Sequence, residues 1–279
     1  MKRTDRVGAI IQILSQHPNK VYSLAYFCNL FGAAKSSVSE DVSMAKDLLE
    51  RTELGRIETI AGAKGGVRFI SCISESSAKA LLEELRERLS DGSRILGGGF
   101  FYTSDLMFDS NLVQGAARIF ADHFQNQGAD YVATIETKGI PAALMTAHML
   151  NLPLVVVRRE SKVSEGSTIS INYISGSSER IQKISLSKRA VVQGSKAIII
   201  DDFMRAGGSV RGVQDILKEF DVETVGIGVM IAAKSPERKK VQNFFPLIYL
   251  GEVDEENRTL ELSINEEIFS QGNKWNDVT

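Results

Sequence analysis

The chain has 279 residues, 43% of them hydrophobic and 24% charged, with a formal net charge of −2. These values are ordinary for a globular protein and exclude collagen-like, disordered and membrane-spanning classes, while the length points to two domains. The longest purely apolar runs, such as residues 198–200, are far too short to cross a bilayer, so a soluble protein with no membrane partner is expected.

The N-terminal residues pass directly into polar and apolar periodicity, without the apolar core and cleavage site of a secretory signal, which predicts a cytoplasmic location. Val7, Ile10, Ile11 and Leu14 recur at helical spacing, so residues 3–16 are expected as an amphipathic helix stopped by His17, Pro18 and Asn19. Ser23 is a candidate cap for a second short helix over 24–31, which Gly32 ends. A third helix follows, capped by Ser36 or Ser37. Val38, Val42, Ala45 and Leu49 form its inner stripe, leaving Ser36, Ser37, Ser39, Ser43 and Lys46 outside.

Two helices joined by a short glycine-containing turn can place the second in a major groove, although any three-helix bundle gives the same stripe. Residues 56–60 and 67–71 then alternate around a glycine-rich tip at 61–66, which predicts a β-hairpin. Three helices and a hairpin are the order of a winged helix-turn-helix domain. Residues 1–74 hold ten basic and seven acidic side chains (+3), and the rest holds 23 and 28 (−5), so the first module is the one suited to a polyanion. The DNA-binding candidates are Lys2, Arg3, Arg6, Lys35, Ser36, Ser37, Ser39, Arg56, Lys64 and Arg68. An RNA-binding or protein-binding wing is the alternative.

Residues 71–79 are rich in serine and mark the expected domain boundary, dividing the chain into 1–74 and 75–279. Gly97, Gly98 and Gly99 precede Phe100, Phe101 and Tyr102. Tyr102 is a candidate to stack on or hydrogen-bond a ligand, or equally an aromatic core residue in a strand. A helix is expected over 111–125, a buried strand over 131–136, a helix over 141–150 and a strand over 154–157. Alternating segments at 168–174 and 180–186 flank residues 175–178.

Residues 197–202 read as a strand buried on both faces, with Asp201 and Asp202 where it leaves the sheet. Phe203, Met204, Arg205, Ala206, Gly207, Gly208 and Ser209 form the following loop, and Ser209 is the expected cap of the next helix. A glycine loop at a helix N-terminus suits a phosphate. The two acids would repel that phosphate, and ribose hydroxyls or a cation would satisfy them. The loop lacks the Walker A lysine and the GxGxxG pattern. His17, His123, His148, Cys28 and Cys72 show no metal-ligand spacing, so no metal site is expected.

The stretch from Ile198 to Ser209 resembles the phosphoribosyl pyrophosphate (PRPP) signature of type I phosphoribosyltransferases. That resemblance implies that Asp201 and Asp202 hold the ribose hydroxyls and residues 203–209 cradle the 5′-phosphate. Met204 and Arg205 are bulkier than is usual there. Thr137, Lys138 and Gly139 resemble the family's pyrophosphate loop, Arg158 and Arg159 end a strand beside it, and the 160–187 segment resembles its mobile hairpin. The fold implied is α/β, a winged helix-turn-helix domain followed by a phosphoribosyltransferase-like domain with a mainly parallel sheet flanked by helices.

The whole chain resembles the purine operon repressor family of Gram-positive bacteria. The resemblance implies a homodimer on double-stranded operator DNA, repression of purine biosynthesis and transport genes, and PRPP as an inducer that brings Mg2+ with it. Catalysis would need a base-binding hood, and the acidic residues from Glu252 to Glu267 do not read as one. A sensor is therefore expected rather than an enzyme. An active purine phosphoribosyltransferase with an accessory nucleic-acid module is the alternative, and an alarmone of the guanosine tetraphosphate type is a further candidate ligand.

Overall fold

The computed structural model describes residues 1–62, 64–98, 100–160, 166–174 and 181–269. The first domain comprises α1 (Arg3–Gln16), α2 (Leu24–Phe31), α3 (Lys35–Arg51) and an antiparallel hairpin of β1 (Arg56–Ile60) and β2 (Gly66–Ile70). Apolar residues at helical spacing meet in one core of Ile10, Leu14, Phe27, Val38, Ala45, Leu49, Ile57 and Val67. The Ser23 side chain accepts from the Tyr26 N–H, and Gly32 closes α2 in the left-handed region, as the sequence predicts. The predicted cap of α3 is corrected. The helix starts two or three residues earlier, at Lys35 with Ala34 before it, so Ser36 and Ser37 belong to its first turn.

The boundary segment is also shorter than expected, because Glu75 already begins α4 (Glu75–Leu89), capped by Ser74. Serines there start a helix rather than a linker, and Ala78, Leu82, Leu85 and Leu89 bury its inner face in the second domain. After it come β3 (Ile95–Gly97), β4 (Phe100–Phe101), α5 (Ser104–Met107), α6 (Ser110–Phe124), β5 (Tyr131–Ile135), α7 (Ile140–Leu150) and β6 (Leu154–Val157). The chain continues through β7 (Thr168–Ile174), β8 (Ile181–Ser187), β9 (Lys196–Met204), α8 (Gly208–Lys218), β10 (Glu223–Ala233), β11 (Phe245–Asp254) and β12 (Thr259–Ile264).

Six strands form the main sheet in the order β12-β11-β10-β9-β5-β6; all neighbours are parallel except the edge strand β12. Ile198 and Ile200 of β9 face a core shared with α4, α6 and α7, while Ala197 and Ile199 face α8 and the β7–β8 hairpin. Layers on both faces explain why β9 is continuously apolar. No helix among the described residues is long and apolar enough to cross a membrane.

Candidate functional site: an acid pair over a phosphate loop, and a winged-helix surface

β9 lies inside the sheet and carries Asp201 and Asp202 near its C-terminal end. This is the edge where open α/β sheets bind ligands. Asp201 is 3% exposed and Asp202 is partly buried. Burial, reinforced by the neighbouring Asp202 charge, pushes the Asp201 carboxyl well above the ordinary range, and burial also raises Asp202. Arg159 acts against the Asp201 shift and Lys138 against that of Asp202, so these two cations lie near the acid pair. The arrangement stores two poorly solvated carboxylates, which a ligand's hydroxyl donors would satisfy.

The strand continues through Phe203 and Met204, so the loop proper spans Arg205–Gly207, shorter than expected. Gly207, not Ser209, is the residue before α8. It adopts φ 79°, which favours glycine, and Ser209 sits in the first turn. Asp201 and residues 203–210 line a cavity of about 60 Å³ at this helix start. Its unpaired N–H groups and dipole suit a phosphate.

Thr137, Lys138 and Gly139 connect β5 to α7 at the same edge. A Cβ on Gly139 would meet Thr134 Oγ1 at 2.6 Å and Asp201 Oδ1 at 3.0 Å, so only glycine lets this loop lie against the acid. Arg158 and Arg159 leave β6 beside it. The Arg159 N–H donates to Glu136 Oε1 at 2.7 Å, and Arg158 pairs with Glu136 Oε2 at 3.5 Å. Glu136 was not singled out from sequence, although its place at the strand end is a signal.

Two further features were missed. The loop after β10 carries Lys239 and Lys240 to the 205–207 loop, with the Lys240 N–H donating to the Ala206 carbonyl at 2.8 Å. Burial and the Arg205 charge lower the Lys239 pKa, and its ammonium donates to the Ala233 carbonyl at 2.6 Å. The basic run at 238–240 was the available signal. The second feature is the segment before the sheet, which reaches the acid-pair strand. Phe101 packs edge-on against Phe203 at 5.4 Å, and Lys138 Nζ donates to Thr103 Oγ1 at 3.5 Å. Tyr102, between them, is 46% exposed because successive residues of extended chain point to opposite sides. Its neighbours, not Tyr102 itself, provide these contacts.

The hairpin expected to be mobile has a packed stem. Tyr173, Ile184 and Leu186 are buried against α8, and Arg158 bridges Ser185 through backbone hydrogen bonds. Its turn, at 175–180, lies outside the described residues, as do Ala63 and Gly99.

On the first domain, α3 exposes Lys35, Ser36, Ser39 and Ser43, whereas Ser37 is half-buried. A groove of about 600 Å³ separates α2 and the start of α3 from the hairpin, lined by Ser23, Asn29, Lys35, Gly62 and Gly65 among others. The four arginines among the DNA-binding candidates each pair with an acid of the same domain. Arg6 holds the fully buried Asp41 at 2.6 Å, and Arg3 pairs with Glu40 and Asp41. Arg56 and Arg68 share Glu58 at 3.1 and 2.8 Å. Sequence showed their charge but not the pairing, which joins α1 to α3 and, through Glu58 of β1, Arg56 of the same strand to Arg68 of the next. Lys2, Lys35 and Lys64 have no ion pair with an acid among those described. Changing Lys35 or Lys64 to alanine is expected to lower the salt slope of DNA binding by about one each, read by fluorescence anisotropy at several salt concentrations. Arg56→Ala should leave that slope unchanged.

Comparison with known proteins gives both halves a family. Residues 2–71 match the bacterial purine repressor N-terminal family, and residues 106–256 match the phosphoribosyl transferase domain. A probable purine biosynthesis transcriptional regulator PurR of Streptococcus pneumoniae is 41% identical over 95% of this chain and 96% of its own. The purine biosynthesis transcriptional repressor PurR of Bacillus subtilis is 38% identical over 94% and 92%. The purine biosynthesis transcriptional activator PurR of Lactococcus lactis is 34% identical over 99% and 100%. The second domain shares its fold with an adenine phosphoribosyltransferase from Thermoanaerobacter pseudethanolicus, at TM-score 0.52 and 18% identity over 60% of this chain and 99% of that one. The winged helix, the phosphoribosyltransferase domain and the near full-length match together place the chain in the purine operon repressor family, the transcriptional regulators of purine biosynthesis.

Proposed function

We propose that this protein is a DNA-binding repressor of purine biosynthesis and transport genes, that it works as a homodimer, and that PRPP is its inducer. The observation that carries the reading is an arrangement suited to a phosphoribosyl group in the same chain as a purine repressor N-terminal domain: the buried acid pair on β9, the glycine loop at the start of α8, and Lys138, Arg158 and Arg159 nearby. The ribose hydroxyls would donate to Asp201 and Asp202. The 5′-phosphate would sit at residues 205–209, and the diphosphate, bringing Mg2+, would face Lys138 and Gly139. A dimer offers two winged helices to two half-sites.

The test is binding of the purified protein to DNA upstream of purine biosynthesis genes, at fixed salt, with and without PRPP and Mg2+. Tight binding that PRPP weakens supports the reading. Binding no stronger than to a scrambled duplex overturns it. Because related proteins carry both repressor and activator names, a promoter reporter in cells lacking the protein fixes the sign: expression rises on loss of a repressor and falls on loss of an activator.

The second reading is catalytic. The contact between Phe101 and Phe203 favours it, since aromatic groups beside the acid-pair strand could border a base. Pyrophosphate release from PRPP with any free purine would establish that reading, and its absence across the purines supports a sensor. An alarmone of the guanosine tetraphosphate type carries the same ribose and phosphate chemistry, and displacement of bound PRPP would reveal it.

A further inference from the structure

The DNA-binding domain meets the sheet at the edge opposite the acid pair. A cavity between the domains is lined by Asn19 and Arg68 from the first, and by Phe124, Gln125, Gly128, Ala129, Leu150 and Leu152 from the second. These second-domain residues lie at the end of α6 and in the turns that lead into β5 and β6, hence at the N-terminal ends of those strands. The effector loops leave their C-terminal ends. An effector at the acid pair therefore does not touch the wing of its own chain, and its influence needs a physical path.

One element reaches both places. α7 follows directly on Gly139, which lies against Asp201, and its 11 residues carry the chain about 16 Å at 1.5 Å per residue. At the far end, the Met149 carbonyl accepts a hydrogen bond from the Asn19 side-chain amide at 2.7 Å. Last-turn carbonyls of a helix lack intrahelical partners, so the bond satisfies a group that would otherwise need water. Asn19 is joined to the wing in turn. Its N–H donates to the Phe69 carbonyl of β2 at 2.7 Å, and Tyr22 and Val67 exchange two backbone bonds at 2.9 and 2.8 Å. The segment 19–22 then enters α2 through Ser23.

We infer that Asn19 is the coupling residue of the protein, joining the effector loop to the DNA-binding domain through α7. The inference rests on the effector reading above. When a diphosphate fills the 137–139 loop, α7 shifts along its axis or tilts, the Met149 carbonyl moves, and Asn19 passes the change to β2 and α2. Coupling of this kind requires different contacts in the two states, and Asn19 supplies one that a single substitution removes.

Asn19 adopts φ 59°, so Asn19→Gly removes the amide while keeping a backbone that glycine accepts readily. Asn19→Asp keeps the shape but sets a carboxylate oxygen against the carbonyl. The experiment uses the full chain, with PRPP and Mg2+ as probe, and measures PRPP affinity by calorimetry and the operator Kd with and without PRPP. In both variants PRPP affinity and PRPP-free operator affinity are expected to stay within about twofold of the parent. The ratio of operator Kd with and without PRPP is expected to fall toward one, from a parent value in the usual range of about 5–150-fold. A parent that responds alongside variants that respond equally overturns the coupling role while leaving the effector reading intact. A parent whose operator affinity ignores PRPP overturns the effector reading and this inference with it. Loss of PRPP-free operator binding in both variants would show that Asn19 only holds the wing in place, and would also overturn the inference.

Discussion

Replacing Asp201 and Asp202 together by asparagine is expected to lower PRPP affinity by about 10²–10⁴-fold and to leave PRPP-free operator binding unchanged. Each carboxylate is expected to accept a ribose hydroxyl, and hydrogen bonds to charged groups contribute about 1.5–3 kcal/mol each. Two such losses give the stated range. Calorimetry on the full chain reads the first effect, and anisotropy on operator DNA the second. An effector affinity within about threefold of the parent would remove the acid pair from the site.

The same pair predicts an effect on stability with the opposite sign. Because burial raises the Asp201 carboxyl above its ordinary 3.8, the native state holds more protons than the unfolded chain between those values. Stability contributed by this group therefore falls as pH rises from 3.8 toward the native value, and the full penalty remains at higher pH. The amide introduced by Asp201→Asn does not titrate, and its oxygen can still accept the Asp202 N–H, which is bonded to Asp201 Oδ1 at 3.0 Å in the parent. The Asp201→Asn protein is expected to melt above the parent at about pH 7.5, with the gap closing toward about pH 4. Effector affinity in the parent should rise with pH over the same window as the pair loses its proton. A melting difference that does not change with pH would overturn this account of the pair's charge.

Asp41→Ala is the second large change, and it acts on folding. Asp41 lies fully buried in α3 and takes two hydrogen bonds from Arg6, at 2.6 and 3.2 Å, joining α1 to the helix expected to enter DNA. Removing it strands donors inside the small domain, at a cost of about 1–3 kcal/mol. For a domain of this size each kcal/mol is worth about 4–8 °C in Tm. Operator binding should weaken as the temperature approaches the lowered transition and recover on cooling. The salt slope of the folded fraction should be unchanged, because Arg6 is a strut between helices. If Asp41→Ala melts with the parent, the pair contributes nothing measurable to the fold.

The acid pair, the glycine loop and the order of three helices and a hairpin were legible because their signals are local. A cap, a strand end and a 3.6-residue stripe depend on neighbours within a few positions, and the chain's covalent geometry fixes those neighbours before it folds. Two helix starts were misplaced by two or three residues, since Ala34 and Gly207 cap through backbone conformation and present no side-chain signal. α4 was hidden because a serine-rich start reads equally as linker and as cap.

What only the tertiary structure decided is which charges remain available. Arg6 and Asp41 stand 35 positions apart, Asn19 and Met149 130 apart, and no periodicity relates such pairs. Sequence thus determined that the chain joins a winged helix to a phosphoribosyltransferase-like domain. Packing determined that four arginines pair with acids in the first domain, that Phe101 from before the sheet meets Phe203, and that the first domain and the acid pair lie at opposite strand ends. Local chemistry follows from adjacent residues, whereas a long-range partner exists only once burial has brought distant segments together and made an unpaired charge costly.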